Sequence, residues 1–369
     1  MSKIEKTVCH VIHSFDHIGG AENVIISLLN NLDTTCRHVI CSLTTIGQIK
    51  CRVNNAHVSY YALNKKEGND PLLPYRLYKV FRKEKVTVVH LRGWATLLEG
   101  YLAAKLSRVP RIIYSEHGRH FEDVWNNKKI NVCVKKYFFD HVDFLMTVSS
   151  ELKSELAELY NVKRTITVIR NGVDSDTFKP GEKKRIRKML GFNENKPIIG
   201  VVGRLVSGKG VQEFIEGIQS NKLNAHIVIV GDGPLMPKLK NQIINSGLEN
   251  TVHLLGSRND VAELMRSFDL LAMPSQSEGL SNVILEAMSS GLPVIGFNVG
   301  GNIELIDSGA GGYLCALNDW DDFFLNVSKL VDDSILSQQF GDYNQHKIAE
   351  SFSLTNMYRS YEKIYFGDR

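Results

Sequence analysis

The feature that most constrains the fold is a repeated alternation of short apolar runs with longer amphipathic segments. Six apolar runs lie in the first half of the chain and five lie in the second half. The runs have the length of strands, and the segments between them have the length and periodicity of helices. Strands that alternate with helices form parallel sheets covered by helices on both faces. Two such series predict an α/β protein with two Rossmann-like domains.

The predicted elements follow one another along both halves. In the first half the strands are VCHVIHS, HVICSL, VSYYAL, VTVVHL, RIIYSE and FLMTVS, with helices at 20–31, 72–84, 94–106 and 149–160. In the second half the strands are PIIGVVG, AHIVIVG, VHLLG, LLAMPS and PVIGFN, with helices at 209–219, 234–245, 260–267, 280–290 and 319–331.

The segment VIRNGVDSDTFKPGEKKR separates the two series. Asn171-Gly172 is a strong turn dipeptide, and a Pro-Gly pair and a charged run follow it. We therefore place an N-terminal domain at 1–175 and a C-terminal domain at 176–353. The final helical pattern, 354–369, has no strand after it, and packing back on the N-terminal domain is one option for it.

Composition excludes several classes of protein. With 43% hydrophobic and 23% charged residues, the chain is not disordered. No apolar run reaches the ~18 residues that a membrane span needs. The start lacks a long apolar leader, so we expect an uncleaved cytoplasmic protein. The six cysteines form no C-x-x-C pair and are expected to be reduced, small hydrophobic residues.

The net charge of +4 hides an asymmetry between the halves. Residues 1–175 carry 25 basic and 17 acidic residues, whereas residues 176–369 carry 19 and 23. The first half therefore has a net charge of +8 and the second half −4. A basic first half suggests an anionic partner for that half.

Glycine-bearing turns follow four of the predicted strands. They are HIGGAEN with Gly19 and Gly20, VGRLVSGKG, VGDGP with Gly231 and Gly233, and PSQSEGLSN. Ligands of parallel sheets bind beyond the carboxyl ends of the strands. Because any tight strand-to-helix turn favours glycine, one such turn means little, but four at matching ends favour a ligand site.

The loop GRLVSGKG carries two cations, Arg204 and Lys209, before a predicted helix. A diphosphate needs delocalised positive charge and N–H donors, which a guanidinium, an ammonium and a helix start supply. Two solvated surface cations are the alternative, and the flanking glycines favour the binding role. The loop is not a nucleotide-triphosphate P-loop, since Gly210 follows the lysine where Ser or Thr is required.

The stretch SEGLSNVILEAM holds two glutamates, Glu278 and Glu286. Gly279, Leu280 and Ser281 are expected to start a helix and to leave N–H groups for phosphate oxygens. Glu286, further along an apolar helix, needs a partner such as the two hydroxyls of a ribose. Glu278 at the helix entrance is placed to meet a sugar, with simple helix capping as the alternative.

These stretches resemble retaining glycosyltransferases of family four, which have the GT-B fold. The resemblance rests on GGAE, SEHGRH, VIRNGVD, GRLVSGKG, VGDGP, LLGSRNDVAELM and PSQSEGLSNVILEAMSSGLPVI, which occur in the family's order over nearly the whole chain. It implies two domains that face each other across a cleft. The N-terminal domain would bind the acceptor and the C-terminal domain the nucleotide sugar.

The resemblance also implies roles for individual residues. Arg204 and Lys209 would hold the donor diphosphate, Glu286 the ribose, and Glu278 would face the donor sugar. The donor-binding set implied in full is Gly19, Gly20, Arg204, Lys209, Gly231, Gly233, Arg258, Glu278, Gly279, Leu280, Ser281 and Glu286. His117 would contact the donor sugar or support the reacting centre, whereas the extra Arg119 and His120 of EHGRHF have no transferable role.

The implied activity is transfer of a sugar from a UDP-, GDP- or ADP-sugar with retention of the anomeric configuration. No carboxylate is clearly placed as a nucleophile, which favours a front-side mechanism. A GT-B epimerase or phosphorylase is the alternative. A nicotinamide-dependent dehydrogenase is disfavoured, because HIGGAEN lacks the full G-x-G-x-x-G pattern.

We expect no metal and no cofactor. Of the two D-x-D strings, Asp174-Ser175-Asp176 lies between the domains and Asp319-Trp320-Asp321 begins a helix, where aspartate is an ordinary cap. The cations of GRLVSGKG already balance the charge of a diphosphate.

Two basic segments of the first half suggest an anionic membrane surface as a further partner. PYRLYKVFRKEKV, residues 74–86, places Leu77, Val80 and Phe81 on one side of a helix, and NNKKINVCVKKYFF interleaves lysines with apolar residues. A helix packed by its apolar side with a solvated basic side is the equal alternative. The expected acceptor is a glycan or lipid-linked sugar of bacterial polysaccharide synthesis, reached from the inner face of the plasma membrane, and no nucleic acid is expected to bind.

Overall fold

The computed structural model describes residues 6–16, 19–32, 36–68, 70–118, 129–192, 196–221 and 223–367, with the side chains of 129–131 left out. The chain divides into two compact units. Unit 1 comprises residues 1–171 and 357–369, and unit 2 comprises residues 172–356. The first boundary between the units lies four residues before the predicted one near 175. The second lies three residues after the predicted one at 353.

Unit 1 contains a parallel seven-stranded sheet in the order β3-β2-β1-β4-β5-β6-β7. Its strands are β1 Thr7–Ile12, β2 Arg37–Ser42, β3 Val58–Ala62, β4 Val88–Arg92, β5 Arg111–Glu116, β6 Phe144–Thr147 and β7 Ile166–Val168. Its first helices are α1 Gly20–Asn31, α2 Leu73–Lys83, α3 Trp94–Leu106, α4 Lys129–His141 and α5 Ser150–Leu159, with a short 3-10 helix at Gln48–Arg52. The strand order reverses between β1 and β4, and the register there sets His10 opposite His90.

Unit 2 contains a parallel six-stranded sheet in the order β10-β9-β8-β11-β12-β13. Its strands are β8 Ile198–Val202, β9 His226–Val230, β10 Val252–Leu254, β11 Leu270–Met273, β12 Val294–Phe297 and β13 Gly312–Cys315. Its helices are α6 Lys183–Met189, α7 Val211–Asn221, α8 Met236–Asn245, α9 Val261–Ser267, α10 Asn282–Ser289, α11 Asn302–Leu305, α12 Trp320–Asp332 and α13 Ser334–Ser351. The order reverses between β8 and β11.

The central strands of both sheets are buried on both faces, which explains why these strands read as continuous apolar runs rather than alternating ones. All residues of β1 and of β4 are buried. The predicted α/β architecture with two parallel sheets is confirmed.

The last helix, α14 Leu354–Phe366, lies against the sheet of unit 1. Arg111 donates to the carbonyl oxygens of Ile364 at 2.8 Å and Gly367 at 2.7 Å, and Ser27 Oγ lies 2.6 Å from Tyr358 Oη. The helix also buries Tyr361 and Tyr365 completely. Unit 1 is therefore completed by the end of the chain.

Helix α2 packs its apolar side into the core of unit 1. Leu73, Leu77, Val80 and Phe81 are all buried there. The packed-helix interpretation of this basic segment is therefore the one that the structure supports, and its apolar side is not available to a membrane. No helix within the described ranges is both long and apolar enough to cross a bilayer.

Candidate active site

The loops after β8 and β11 meet where the strand order of unit 2 reverses. Gln276 N of the second loop donates to Gly208 O of the first at 2.9 Å. Gly210 also lies so close to Pro274 that a Cβ would stand 2.0 Å from the proline carbonyl oxygen. Ligands of open parallel sheets bind outside the strand ends at this reversal. The two loops therefore form a candidate ligand site.

Lys209 and Glu278 form an ion pair at the centre of this site. Lys209 Nζ lies 2.6 Å from Glu278 Oε1, and the two side chains are only 27% and 12% exposed. Partial removal from water strengthens the attraction relative to that of a surface pair. Glu278 is thus held beside the cation that was predicted to bind phosphate.

Ser281 caps helix α10, so the capping interpretation of Glu278 is wrong. Ser281 Oγ accepts a hydrogen bond from Ile284 N at 3.4 Å. The helix begins at Asn282 rather than at 279–281, and Leu280 is buried before it. Gly279 and Leu280 therefore belong to the loop, and Ser281 is the N-cap residue of α10.

The Arg204 side chain is exposed, and among the described residues its guanidinium makes no hydrogen bond or ion pair. A guanidinium presents several N–H donors in a planar fork that matches phosphate oxygens. Arg204 is therefore available to an anionic ligand without first breaking an internal contact.

Backbone contacts between glycine loops support Arg204. Gly231 has φ +141°, and a Cβ there would stand 1.8 Å from Gly203 O. Leu205 N donates to Asp232 O at 2.9 Å. Because these loops touch through their backbones, the VGDGP turn supports the Arg204 loop directly, and the structure gives Gly231 a packing reason independent of any ligand.

A third loop of the site, which follows β12, was not predicted from the sequence. Gly300 has φ +52°, and a Cβ there would stand 1.8 Å from Glu278 O. Gly301 N donates to Gly279 O at 2.9 Å. The Gly-Gly pair that follows the apolar run PVIGFN was the sequence feature that could have indicated this loop. This loop fixes the backbone of the residue that pairs with Lys209.

Two other predicted donor-binding residues lie on α10 and after β10. Glu286 is half-buried on α10. Arg258 follows the edge strand β10, and it bonds Asp260 through Nε at 2.8 Å and through a terminal nitrogen at 2.6 Å. That guanidinium lowers the pKa of the Asp260 carboxyl. Arg258 is therefore already paired locally, in contrast with Arg204.

The first aspartate of each D-x-D string makes hydrogen bonds to residues close to it in the sequence. Asp174 accepts hydrogen bonds from Asp176 N and from Thr177 Oγ1 within its own turn, at 3.0 and 2.7 Å. Asp319 caps α12, as predicted, by accepting from Asp322 N at 3.1 Å. Within the described part of the chain no group of three or more His, Cys, Asp or Glu residues is arranged to hold a metal ion.

In unit 1, the predicted site residues follow β1 and β5 at the carboxyl edge of the sheet. Gly19 precedes α1 in an extended conformation, and Gly20 begins that helix. His117 follows β5, where its Nε2 lies 2.8 Å from Ser115 Oγ and 3.4 Å from an Arg92 nitrogen. Burial and the Arg92 charge lower the pKa of His117 to about 3. Arg119 and His120 lie outside the described residues.

Comparisons with known proteins decide the family. The model described as Glycosyltransferase Family 4 matches residues 18–177, and that described as Glycosyl transferases group 1 matches residues 182–347. The UDP-Gal:alpha-D-GlcNAc-diphosphoundecaprenol alpha-1,3-galactosyltransferase of Escherichia coli is 33% identical over 301 residues, which are 78% of this chain and 77% of the relative. The chain belongs to glycosyltransferase family 4.

Other relatives and solved structures agree with this assignment. The glycosyltransferase is 26% identical over 314 residues to N-acetyl-alpha-D-glucosaminyl L-malate synthase of Bacillus anthracis, covering 84% of this chain and 82% of the relative. Its fold is similar to that of Anabaena HepE crystallised with UDP and glucose, at a TM-score of 0.83 and 21% identity, covering 97% of this chain and 98% of HepE. The predicted GT-B class is thereby confirmed.

Proposed function

We propose that this glycosyltransferase moves a sugar from a UDP-sugar to a lipid-linked glycan with retention of the anomeric configuration. The observation that carries the proposal is the Lys209–Glu278 pair of 2.6 Å at the strand reversal of unit 2, with Arg204, exposed and without a side-chain partner among the described residues, in the same loop as Lys209. A sugar diphosphate requires positive charge near its phosphate oxygens. Next to that charge it requires a group that accepts hydrogen bonds from the sugar hydroxyls. This arrangement supplies both.

In the proposed reaction, unit 2 binds the donor and stabilises its leaving diphosphate. The Arg204 fork and the Lys209 ammonium balance the negative charge that grows on the diphosphate as the glycosidic bond breaks. The Lys209 ammonium has three N–H donors and donates one to Glu278, which leaves donors for phosphate oxygens. The backbone of Gly279, Leu280 and Ser281 lies next to the same diphosphate in this proposal. Because the protein itself supplies the positive charge, no metal ion is needed.

Glu278 and Glu286 have separate roles in this proposal. Glu278, held by Lys209, accepts hydrogen bonds from hydroxyls of the donor sugar, and Glu286 accepts those of the ribose. The loops with Gly231, Gly233 and Arg258 border the nucleotide base. Because the Glu278 carboxylate is already tied to Lys209, it is a poor nucleophile, which favours front-side attack by the acceptor on the face that the diphosphate leaves.

Unit 1 is proposed to bind the acceptor and to present Gly19, Gly20 and His117 to the donor sugar and phosphates. The Escherichia coli relative is named for UDP-Gal, for a diphosphoundecaprenol-linked acceptor and for an alpha-1,3 linkage. HepE has been crystallised with UDP. These names support UDP as the nucleotide and a lipid diphosphate as the acceptor's anchor. An alpha linkage is also the outcome of retention from an alpha-configured donor.

A basic surface of unit 1 supports a peripheral position on an anionic membrane at the inner face of the plasma membrane. Residues 1–175, of which 1–171 belong to unit 1, carry a net charge of +8. Helix α3 exposes Leu98, Leu102 and Leu106, one turn apart on one side, at 43%, 42% and 67%. Tyr75 of α2 and Tyr137 of α4 are also half-exposed, each at 53%. Exposed apolar side chains among lysines suit the headgroup region of a bilayer.

Sedimentation with anionic vesicles tests the membrane proposal. Binding to phosphatidylglycerol vesicles at low salt should disappear at high salt, and the double variant Leu102→Gln, Leu106→Gln should weaken it. Lysine and arginine residues contribute about 1 kcal/mol each near such a surface, so Arg82→Glu with Lys83→Glu should abolish the binding. Failure of the wild type to bind these vesicles at low salt would remove the membrane from the proposal and leave the transfer reaction untouched.

A thermal-shift series tests the donor proposal. At one hundred times the dissociation constant a ligand stabilises the folded state by about 2.7 kcal/mol. UDP should raise the melting temperature, and GDP and ADP at the same concentration should not. The Arg204→Ala variant should lose the response. A larger shift with GDP or ADP than with UDP would contradict the choice of nucleotide.

A further inference from the structure

We propose that Tyr365, His90 and Ser115 form a directional hydrogen-bond chain that holds His117 in one neutral tautomer, with its proton on Nδ1. The three residues are positioning residues, and their value for catalysis rests on the proposed contact between His117 and the donor sugar. The tautomer itself does not depend on that contact and is measured separately.

The chain runs from the last helix through two strands to the loop after β5. Tyr365 Oη lies 2.7 Å from His90 Nδ1, and His90 Nε2 lies 2.8 Å from Ser115 Oγ. Ser115 Oγ in turn lies 2.8 Å from His117 Nε2. Tyr365, His90 and Ser115 are at most 1% exposed. The chain is therefore shielded from water along most of its length, where a hydrogen bond is electrostatically stronger.

Arg92 sets the direction of every bond in the chain. One of its nitrogens lies 3.4 Å from His117 Nε2 and the other 3.5 Å from Tyr365 Oη. A guanidinium only donates, so His117 Nε2 must be an acceptor without a proton. The proton of the neutral ring then lies on Nδ1.

The remaining directions follow from this fixed end. Ser115 Oγ–H donates to His117 Nε2, so Ser115 Oγ accepts from His90 and the proton of neutral His90 lies on Nε2. His90 Nδ1 then accepts from the Tyr365 hydroxyl, whose oxygen accepts from Arg92. Burial lowers the pKa of both His90 and His117, and Arg92 lowers it further, so both rings stay neutral. The two histidines are thus expected in opposite tautomers.

His117 Nδ1–H is the free end of the chain. Among the described residues no hydrogen bond to His117 Nδ1 is found, whereas its Nε2 is fully used. A neutral Nδ1–H donates to a sugar hydroxyl or a phosphate oxygen and cannot accept from one. The chain therefore gives the loop after β5 a fixed donor rather than a group that alternates between roles.

Helix α14 provides a matched control inside the same fold. Tyr361 lies one turn before Tyr365, is equally buried, and its hydroxyl has no hydrogen-bond partner among the described residues. Tyr361→Phe and Tyr365→Phe remove the same atom from the same helix. Only the second removes a link of the chain, so a purely structural effect of losing a buried hydroxyl would be seen in both variants.

The test is long-range proton–nitrogen NMR of the protein labelled with ¹⁵N-histidine, with the signals of His90 and His117 assigned from single His→Gln variants. The wild type should show His117 as the Nδ1–H form and His90 as the Nε2–H form at neutral pH. Tyr365→Phe should leave His90 as a mixture of tautomers and shift the His117 Nε2 signal. Tyr361→Phe should change neither. Ser115→Ala should move the same His117 signal and Ser115→Thr should restore it.

Two results would overturn the chain. One is His117 in the Nε2–H form in the wild type, and the other is a Tyr365→Phe spectrum that matches that of Tyr361→Phe. In a transfer assay Tyr365→Phe should lower kcat about fivefold with the donor KM unchanged, the effect of one hydrogen bond of about 1 kcal/mol. His117→Ala with wild-type turnover would instead refute the proposed role of His117 and leave the tautomer standing.

Discussion

Lys209 Nζ and Glu278 Oε1 lie 2.6 Å apart although the two residues are 69 positions apart in the sequence. Each follows one of the two strands between which the strand order of unit 2 reverses. The pair is a consequence of the topology, because the carboxyl ends of neighbouring parallel strands share one edge of the sheet. It brings the predicted phosphate-binding cation and the predicted sugar-facing carboxylate into contact.

Removing either cation of the site should abolish most of the activity. Arg204→Ala and Lys209→Ala should each lower turnover about 100-fold, the cost of losing one donor that stabilises transition-state charge. Their stabilities should differ, because Lys209→Ala leaves Glu278 without its partner, whereas the Arg204 guanidinium has no partner among the described residues. Turnover and chemical denaturation measure both effects, with Lys240→Ala on the exposed side of α8 as the control. Wild-type turnover in Arg204→Ala would exclude the phosphate role.

Substitutions of the two glutamates should have different effects on nucleotide affinity. Glu286→Gln should weaken the binding of free UDP about tenfold or more, since a hydrogen bond to a charged group is lost. Glu278→Gln should leave UDP affinity unchanged or higher, because Lys209 is released from its ion pair, and should lower transfer. Titration calorimetry with UDP alone decides this. Equal losses of affinity in both variants would refute the division of roles.

Activity should not depend on a divalent metal. Asp174 and Asp319, the first aspartates of the two D-x-D strings, accept hydrogen bonds within a turn and a helix cap, and the site carries its own positive charge in Arg204 and Lys209. Turnover after treatment with excess EDTA should match that of the untreated enzyme, and added Mg²⁺ or Mn²⁺ should not raise it. Loss of turnover in EDTA with recovery on addition of either ion would show that a metal is required.

Acid should destabilise unit 1 through His38. Its ring stacks on that of His10 at 5.6 Å, no nitrogen of either ring has a hydrogen-bond partner among the described residues, and burial lowers the pKa of His38 to about 4. Between pH about 6.5 and 4 the unfolded chain therefore binds a proton that the folded chain does not. Stability falls as the pH is lowered through this window, by up to about 1.4 kcal/mol per pH unit from this residue.

Two leucine variants test the role of His38. Urea denaturation between pH 7 and 5 should give a flatter pH dependence for His38→Leu, with no loss of stability at pH 7. His90→Leu should lose stability already at pH 7, because Ser115 and Tyr365 keep polar atoms without partners. An unchanged pH slope in His38→Leu would contradict the account.

The alternation of strands and helices was sufficient to predict two parallel sheets, because strands buried on both faces leave long apolar runs in the sequence. The edge strand β13 was not among the predicted strands. Helices α4, α6, α11 and α13 were not among the predicted helices. Helix α6 lies in a charged run that resembles a linker, and it is held by Arg187, whose Nε donates to Ser267 O at 2.9 Å far along the chain. Helix α13 has no clear apolar side, although it buries Phe340 and Ile348. Tertiary contacts decide such segments.

The parts of the site in which glycines and charged residues follow a strand could be predicted from the sequence. The backbone contacts between different loops could not. Arg204, Lys209 and Glu278 were visible in the motifs, but their pairing was not, and neither was the support from Gly300 across a different loop. The link from Tyr365 to His117 joins residues 248 positions apart and depends on helix α14 returning to unit 1. A pattern search along the chain has no means of joining them.

Product analysis tests the proposed reaction most directly. The purified enzyme is incubated with a panel of UDP-hexoses and UDP-N-acetylhexosamines and a diphospholipid-linked N-acetylglucosamine acceptor, and the product is examined by proton NMR at the anomeric position. The account predicts a new glycoside with the anomeric configuration of the donor, and its absence from reactions with Arg204→Ala. An inverted linkage would contradict retention. Epimerised UDP-sugar or a sugar phosphate, with no glycoside formed from any donor, would contradict the transfer itself.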